Sequence, residues 1–195
     1  MCGAGSLRAL ELAPKYGLEV IPGLEVTTTE GDLLALNVTR KIERDLSLSE
    51  TVLKVGELGG FCIAQHPMSD GIGMTSLSAY SILKALRDPD VARILIAIET
   101  YNATNIYRMS NHYARILAER LDIAQTASSD AHVVEAIGLG ATGFLGNTAS
   151  DLIKSLQTKT TTTHKQKEWN SVRILGSWAA NYLGSAFSRL SMATR

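Results

Sequence analysis

Three stretches constrain this chain more than anything else in it: "FCIAQHP" at 61–67, "VARILIAIETYN" at 91–102 and "IAQTASSDAH" at 123–132. Each holds an apolar run of strand length with little polar alternation, the pattern of a strand covered on both faces. The segments between them supply the cover. "SLRALELAPKYG", "SETVLKVGELGG", "SLSAYSILKALRDP", "YRMSNHYARILAERL" and "TASDLIKSLQTK" carry apolar residues at helical spacing. Strand–helix alternation with such strands predicts an α/β fold whose sheet is mainly parallel.

Local signals refine this reading. Pro14 sits near the end of the first helix, which is tolerable if the last turn is already loosening, and Gly17 stops it. "LEVIPGLEVTT" is extended and broken at Pro22-Gly23, and "DLLALNV" follows a turn at Glu30-Gly31. Ser49 is a plausible N-cap for the second helix. In "YRMSNHYARILAERL", Ile116 and Leu117 face inward and the arginines outward. A threonine-rich linker then leads to "KEWNSVRILGSWAANYLGSAFSRL", an amphipathic closing helix. Trp169, Ile174, Trp178, Tyr182 and Phe187 are its candidate anchors, read as core packing with a membrane-surface role as the alternative, and Gly176 or Gly184 is a place for a bend. The expected division is a barrel-like domain over 1–157 and a linker plus helical extension over 158–195.

Composition excludes several classes. A chain of 195 residues with 45% hydrophobic and 19% charged residues can bury a core and is not a disordered segment. No apolar run approaches the ~18 residues of a membrane span. "MCGAGSLRALE" lacks the basic and hydrophobic regions of a signal peptide. Cys2 and Cys62 fit neither a disulfide framework nor a zinc site, so a reducing cytoplasm is the expected compartment. No G-x-G-x-x-G or P-loop follows any strand, and the glycines of "AIGLGATGF" fit neither motif. The zero net charge hides an asymmetry: residues 1–150 carry 12 Lys/Arg against 17 Asp/Glu, residues 151–195 carry 7 against 2. A basic tail suits nucleic acid or an acidic lipid surface, and equally a solvated face or a partner in the acidic part of its own chain. Aromatic residues are not interleaved with its basic ones as a stacking platform needs, so nucleic acid is a weakly supported partner.

The strand ends carry the chemistry. Glu25 lies among apolar residues in "IPGLEV", where an isolated carboxylate is costly to bury. Asp32 enters "DLLAL", His66 ends "FCIAQHP", Glu99 ends "LIAIETYN", and Asp130 and His132 end the third stretch. Period-two spacing puts Asp130 and His132 on one side of an extended chain. In a parallel α/β barrel such ends gather at one face. Mixed carboxylate and imidazole donors suit Mn²⁺, Fe²⁺ or Zn²⁺, and carboxylates also admit Mg²⁺. Read singly, His66 also suits a satisfied core histidine, and Asp130 and His132 a loop capping the next helix. Glu99 reads as a residue holding a neighbouring loop by hydrogen bonds, Cys62 as a small core residue, and His112 and His164 as bystanders.

Taken in order, "KYGLEVIPGLEVTT", "LLALNV", "GGFCIAQHP", "IAIETYN" and "SSDAH…EAIGLGATGF" resemble the PHP family, named for polymerase and histidinol phosphatase, from about Leu7 to Leu156. The resemblance implies a distorted (βα)₇ TIM-like barrel holding a cluster of two or three divalent metals. It implies a phosphoesterase acting on phosphate monoesters, nucleotides or nucleic-acid ends, with water activated by the metal as the nucleophile and no side-chain nucleophile. By position, Glu25 matches the bridging carboxylate, His66 a ligand, and Asp130 and His132 the closing Asp-x-His. Glu99 and Asn102 fall behind these ligands, and the segment from Thr148 onward is similar to a C-terminal extension of some members. Two departures stand out. Asp32 occupies a position usually held by histidine, and no His-x-His occurs anywhere in the chain, so the expected barrel is incomplete at its first strand. Exposed strand edges then favour self-association. The alternative is a catalytically inactive PHP-like binding module, or a gene fragment.

Overall fold

The computed structural model describes residues 4–69, 75–105, 107–165 and 176. The chain opens with α1 (Ala4–Leu12), and Pro14 falls in a 3₁₀ turn over Ala13–Tyr16. Gly17 closes that turn in the left-handed region, as its place in the sequence predicts. Next come β1 (Gly23–Thr27), β2 (Asp32–Leu36), α2 (Leu48–Glu57) and β3 (Phe61–Ala64). They are followed by α3 (Ala79–Ala85), α4 (Pro89–Ile94), β4 (Leu95–Asn102) and α5 (Met109–Glu119). The last elements are β5 (Ala124–Ser128), β6 (Gly140–Gly143), α6 (Ala149–Gln157) and β7 (Thr162–Lys165).

The strands β1 to β5 form one sheet in chain order. The pairs β1/β2 and β2/β3 are antiparallel, β3/β4 and β4/β5 parallel. It follows that β1, β3, β4 and β5 share one direction and β2 alone runs back. The expected mainly parallel α/β sheet is present. A closed barrel is not: among the described residues the sheet is open, with β1 at one edge and helices on both faces. Closure requires every strand to be paired on both sides, and here β6 and β7 pair with each other instead.

One face of the sheet packs Val26, Leu33, Ala35, Leu95 and Ile98 against Leu48, Val52 and Val55 of α2, Ile82 of α3, Val91 of α4 and Leu117 of α5. The other packs Phe61, Ile63, Ala97 and Ala124 against Leu152, Ile153 and Leu156 of α6. Each large side chain buried here contributes roughly 1.5–3 kcal/mol. On α5 Leu117 is buried as its spacing predicts, while Ile116 is only half-buried.

Three local expectations need correction. The N-cap of α2 is Ser47 rather than Ser49. Ser47 and Glu50 form a reciprocal capping box, and the acidic residue three positions on decides the start. Ser47→Ala is expected to cost about 1 kcal/mol, a fall of about 2–4 °C in melting temperature by calorimetry. The stretch before β4 folds as the separate short helix α4, with Asp88 as cap and Pro89 at its first turn. The threonine-rich segment expected as a linker pairs with β6 as β7. Threonine hydroxyls fasten this ribbon to β5: Thr142 Oγ1 accepts from Ala127 N at 2.9 Å and donates to Ala127 O at 2.8 Å, and Thr161 Oγ1 donates to Gln125 O at 2.7 Å. The closing amphipathic helix lies outside the described residues apart from Gly176, which is helical. Among the described residues no helix is long and apolar enough to cross a membrane.

Candidate metal centre

Sheet direction gathers the polar strand ends. The C-terminal ends of β1, β3, β4 and β5 share one edge, and so does the start of the reversed strand β2. Asp32, the first residue of β2, stands opposite Thr27, the last of β1. Glu25 lies two residues back on β1, on the side of the strand that carries Thr27. His66 follows β3 by two residues, Glu99 to Asn102 end β4, and Asp130 and His132 follow β5. A single edge thus carries Glu25, Asp32, His66, Glu99, Asn102, Asp130 and His132. Crevices outside the carboxyl ends of strands are where open α/β sheets bind ligands.

Backbone strain marks two of these residues. His66 has φ 28° and Asp130 φ 45°, left-handed values that residues with a Cβ rarely adopt. Such positions cost roughly 1–3 kcal/mol and persist only where surrounding contacts hold them. Glu99 supplies much of the hold. It is buried, and its Oε2 accepts from His66 N at 2.7 Å and from Asn102 Nδ2 at 3.2 Å. Its Oε1 accepts from Ser128 Oγ at 2.5 Å. Asn102 Nδ2 also reaches Asp130 Oδ2 at 3.1 Å, so one amide bridges two carboxylates. Asn102 is held in turn by Asn111 of α5, which accepts from Asn102 N and donates to Asn102 O, both at 3.0 Å. Thr104 Oγ1 donates to Asp130 O at 3.1 Å.

Asp32 is 6% exposed. Its Oδ2 accepts from Thr75 Oγ1 at 2.7 Å, while its Oδ1 is buried with no hydrogen-bond partner among the described residues. Gly31 lets this corner form. With φ 141° and the backbone of Ser76 and Leu77 where a Cβ would stand, it admits no side chain without displacing 75–77. Gln65 Nε2 is also buried without a partner among the described residues.

Electrostatics show how closely the carboxylates are gathered. Glu25, expected to be buried among apolar residues, is exposed on β1. Its carboxyl is still pushed above the usual carboxylate range, by desolvation from the groups around it first and by the Asp32 charge next. Asp130 adds to the push, while the Gln65 amide and the His66 ring draw it back. Glu99 is raised as well, chiefly by burial, against the three hydrogen bonds it accepts. A raised folded-state value means that the folded chain binds more protons than the unfolded chain above about pH 4.5, so these groups lower stability as pH rises from there. The metal-free Glu99→Gln variant should therefore gain stability relative to the parent as pH is raised from about 4.5 towards neutrality. Urea unfolding at several pH values checks this; a constant difference would contradict it.

His132 is exposed at the rim, its Nδ1 2.9 Å from Asp130 O. A carbonyl only accepts, so Nδ1 carries the proton and the neutral ring keeps Nε2 as its acceptor. Among the described residues no three His, Cys, Asp or Glu side chains meet around one point as metal ligands. Their backbones are gathered at one edge; their side-chain tips are not closed on a centre. The donor chemistry fits a divalent cation: among the described residues there is a buried carboxylate oxygen without a donor, a second carboxylate, Glu25, that feels the Asp32 charge, and a histidine whose Nδ1–H leaves Nε2 as an acceptor. Thr75, Ser76, Thr104, Asn105 and Asn111 carry much of the supporting hydrogen bonding. Sequence reading misses them because short polar side chains in loops are common; the asparagine-rich run from Asn102 to Asn111 is the available signal.

Cys62 is a free, buried core residue whose thiol is raised by burial, as its sequence context predicts. His112 is exposed on α5, and His164 lies on exposed β7 with its Nε2 2.9 Å from Thr162 Oγ1.

Residues 108–161 match a family model described as PHP-associated. This span contains Asn111, Asp130 and His132 and relates that part of the chain to the PHP family. The chain is 35% identical over 99 residues to the uncharacterized protein MJ1587 of Methanocaldococcus jannaschii, covering 51% of this chain and 52% of the relative. It is 29% identical over 118 residues to the uncharacterized protein MJ0417 of the same organism, covering 60% and 48%. The chain thus spans about half the length of the curated relatives it matches. In fold it is similar to PsfC from Pseudomonas syringae PB-5123, with a TM-score of 0.59 at 20% identity, covering 86% of this chain and 67% of that one.

Proposed function

We propose that this strand-end cluster is a divalent-metal centre that hydrolyses a phosphate monoester or a nucleotide or oligonucleotide phosphate. The observation that carries the reading is Asp32 Oδ1, a buried carboxylate oxygen with no hydrogen-bond partner among the described residues, beside a Glu25 raised by desolvation first and by the Asp32 charge next. Leaving such an oxygen unpaired costs about 1–3 kcal/mol or more, and a cation offsets that cost. Glu25, Asp32, His66, Asp130 and His132 are the proposed ligands, with Glu99 and Asn102 behind them. The donor set suits Mn²⁺, Fe²⁺ or Zn²⁺, and Mg²⁺ with fewer imidazole contacts. When bound, such an ion supplies Lewis acidity towards phosphate oxygens and makes water a stronger nucleophile near neutral pH.

The chain's own part is to hold these donors. Glu99 fastens His66 and, through Asn102, Asp130, so the ends of β3, β4 and β5 keep one spacing. His132 stands on the solvent side, where a phosphate group enters. The proposed attacking group is water activated by the ion, as the resemblance to the PHP family implies, with no side-chain nucleophile assigned.

The test is phosphate release by the purified chain from p-nitrophenyl phosphate, a nucleoside monophosphate and a 3′- or 5′-phosphorylated oligonucleotide, with each metal in turn. Release that depends on metal and falls more than ~100-fold in Asp130→Ala supports the reading. Release that needs no metal, or persists in the variant, contradicts it. Tight metal binding without hydrolysis would favour the non-catalytic binding module.

A further inference from the structure

His66 is held on both sides. Its backbone N–H donates to Glu99, and its ring Nδ1 lies 3.3 Å from Ser76 Oγ. Proton counting assigns this second contact. Ser76 has one hydroxyl proton, and it is given to Ser69 O at 2.7 Å. Towards His66, Ser76 Oγ can then only accept, so Nδ1 must carry the ring proton and Nε2 of the neutral imidazole keeps its lone pair.

Ser76 does not stand alone. Ser69, 2% exposed, donates through Oγ to Asn105 Oδ1. Asn105, 3% exposed, donates to Ser110 Oγ at 2.6 Å and reaches Asn111 Oδ1 at 3.4 Å. Asn111 clamps Asn102, Asn102 donates to Glu99, and Glu99 accepts from His66 N. The chain of hydrogen bonds closes on itself and ties the loops after β3 and β4 to the entry of α5. Buried polar residues satisfied in this way rigidify what they surround.

We propose that Ser76 is a positioning residue: it fixes the His66 imidazole in its Nδ1–H form and so presents Nε2 as a ligand. His132 reaches the same form by a different route, through a backbone carbonyl. Both candidate histidines then offer the same nitrogen to one centre. The consequence for metal binding rests on the reading under Proposed function; the tautomer itself does not.

The experiment reads imidazole ¹⁵N and ¹H signals of the metal-free full chain at about pH 8.5, well above the ordinary histidine range, with the His66 signal identified by its loss in His66→Gln. The expected result is a proton on Nδ1 in the parent, a shift of the proton to Nε2 in Ser76→Ala, and the parental form retained in Ser76→Thr, which keeps a hydroxyl. An Nε2–H form in the parent, or an Nδ1–H form that persists in Ser76→Ala, overturns the proposal. Titration of the same samples with Zn²⁺ separates the two claims. Affinity should fall ~10–100-fold in Ser76→Ala and return in Ser76→Thr, the usual effect of losing a partner behind a ligand. A tautomer that shifts while Zn²⁺ affinity holds would uphold the grip of Ser76 on the ring and overturn the ligand role of His66.

Discussion

Glu99→Ala is expected to cost the fold about 3–5 kcal/mol, since each neutral donor left unsatisfied in the interior costs about 1–3 kcal/mol. Three donors depend on this carboxylate: His66 N, Asn102 Nδ2 and Ser128 Oγ. Two of them sit on the ends of strands flanking β4, so the loss reaches β3 and β5 together. The left-handed backbone at His66 would lose the partner of its N–H, and Asn102 Nδ2 would keep Asp130 Oδ2 as its carboxylate contact without Glu99 to hold it. A chain of this size shifts about 2–4 °C per kcal/mol, so a fall on the order of 10 °C should be seen. Glu99→Gln, which retains an acceptor for His66 N, should fall less. A fall of under a degree or two in the alanine variant would mean that Glu99 does not hold these loops.

Asp32→Asn is expected to separate stability from function. The substituted amide would still accept from Thr75 through its oxygen, and the second position would change from a charged oxygen without a partner to a neutral NH₂ group. The repulsion on Glu25 would also fall. Metal-free stability should rise by about 1–2 kcal/mol, since a buried unpaired charge is removed, while affinity for Mn²⁺ or Zn²⁺ should drop ~100-fold or more. Stability gained where binding is lost is the mark of a residue kept for a ligand. Asp32→His, which installs an imidazole there, should favour Zn²⁺ over Mn²⁺. An Asp32→Asn variant less stable than the parent, or one binding metal equally well, would contradict the role given to Asp32. Denaturant unfolding paired with metal titration reads both quantities.

Much of this was legible in the sequence for a physical reason: apolar strands and amphipathic helices announce themselves by period. Strands β3, β4 and β5 are found within "FCIAQHP", "LIAIETYN" and "IAQTASSDAH", with β3 and β5 stopping two residues short of His66 and Asp130 and β4 running on past Glu99 to Asn102. Sheet closure was not legible. It depends on which strand edges meet, and "TTTTHK" gives no sign that it pairs with "GATG" rather than serving as a linker. Nor does a single sequence show that the reversed strand β2 brings its first residue, Asp32, to the end where its neighbours finish. That inversion puts a turn residue into the candidate site. The supporting shell was hidden for another reason. Asn111 acts on Asn102 from nine residues away, and Ser76 acts on His66 from ten. Such contacts leave no periodic trace, because they are fixed by loop geometry.

The most direct measurement is bound metal per chain, by elemental analysis after separate reconstitution with Mn²⁺, Fe²⁺ and Zn²⁺, with His132→Ala carried alongside. The account predicts at least one ion per chain in the parent and a clear loss in the variant. Metal no higher in the parent than in His132→Ala, with all three ions, would contradict it and leave the strand-end cluster without its proposed role.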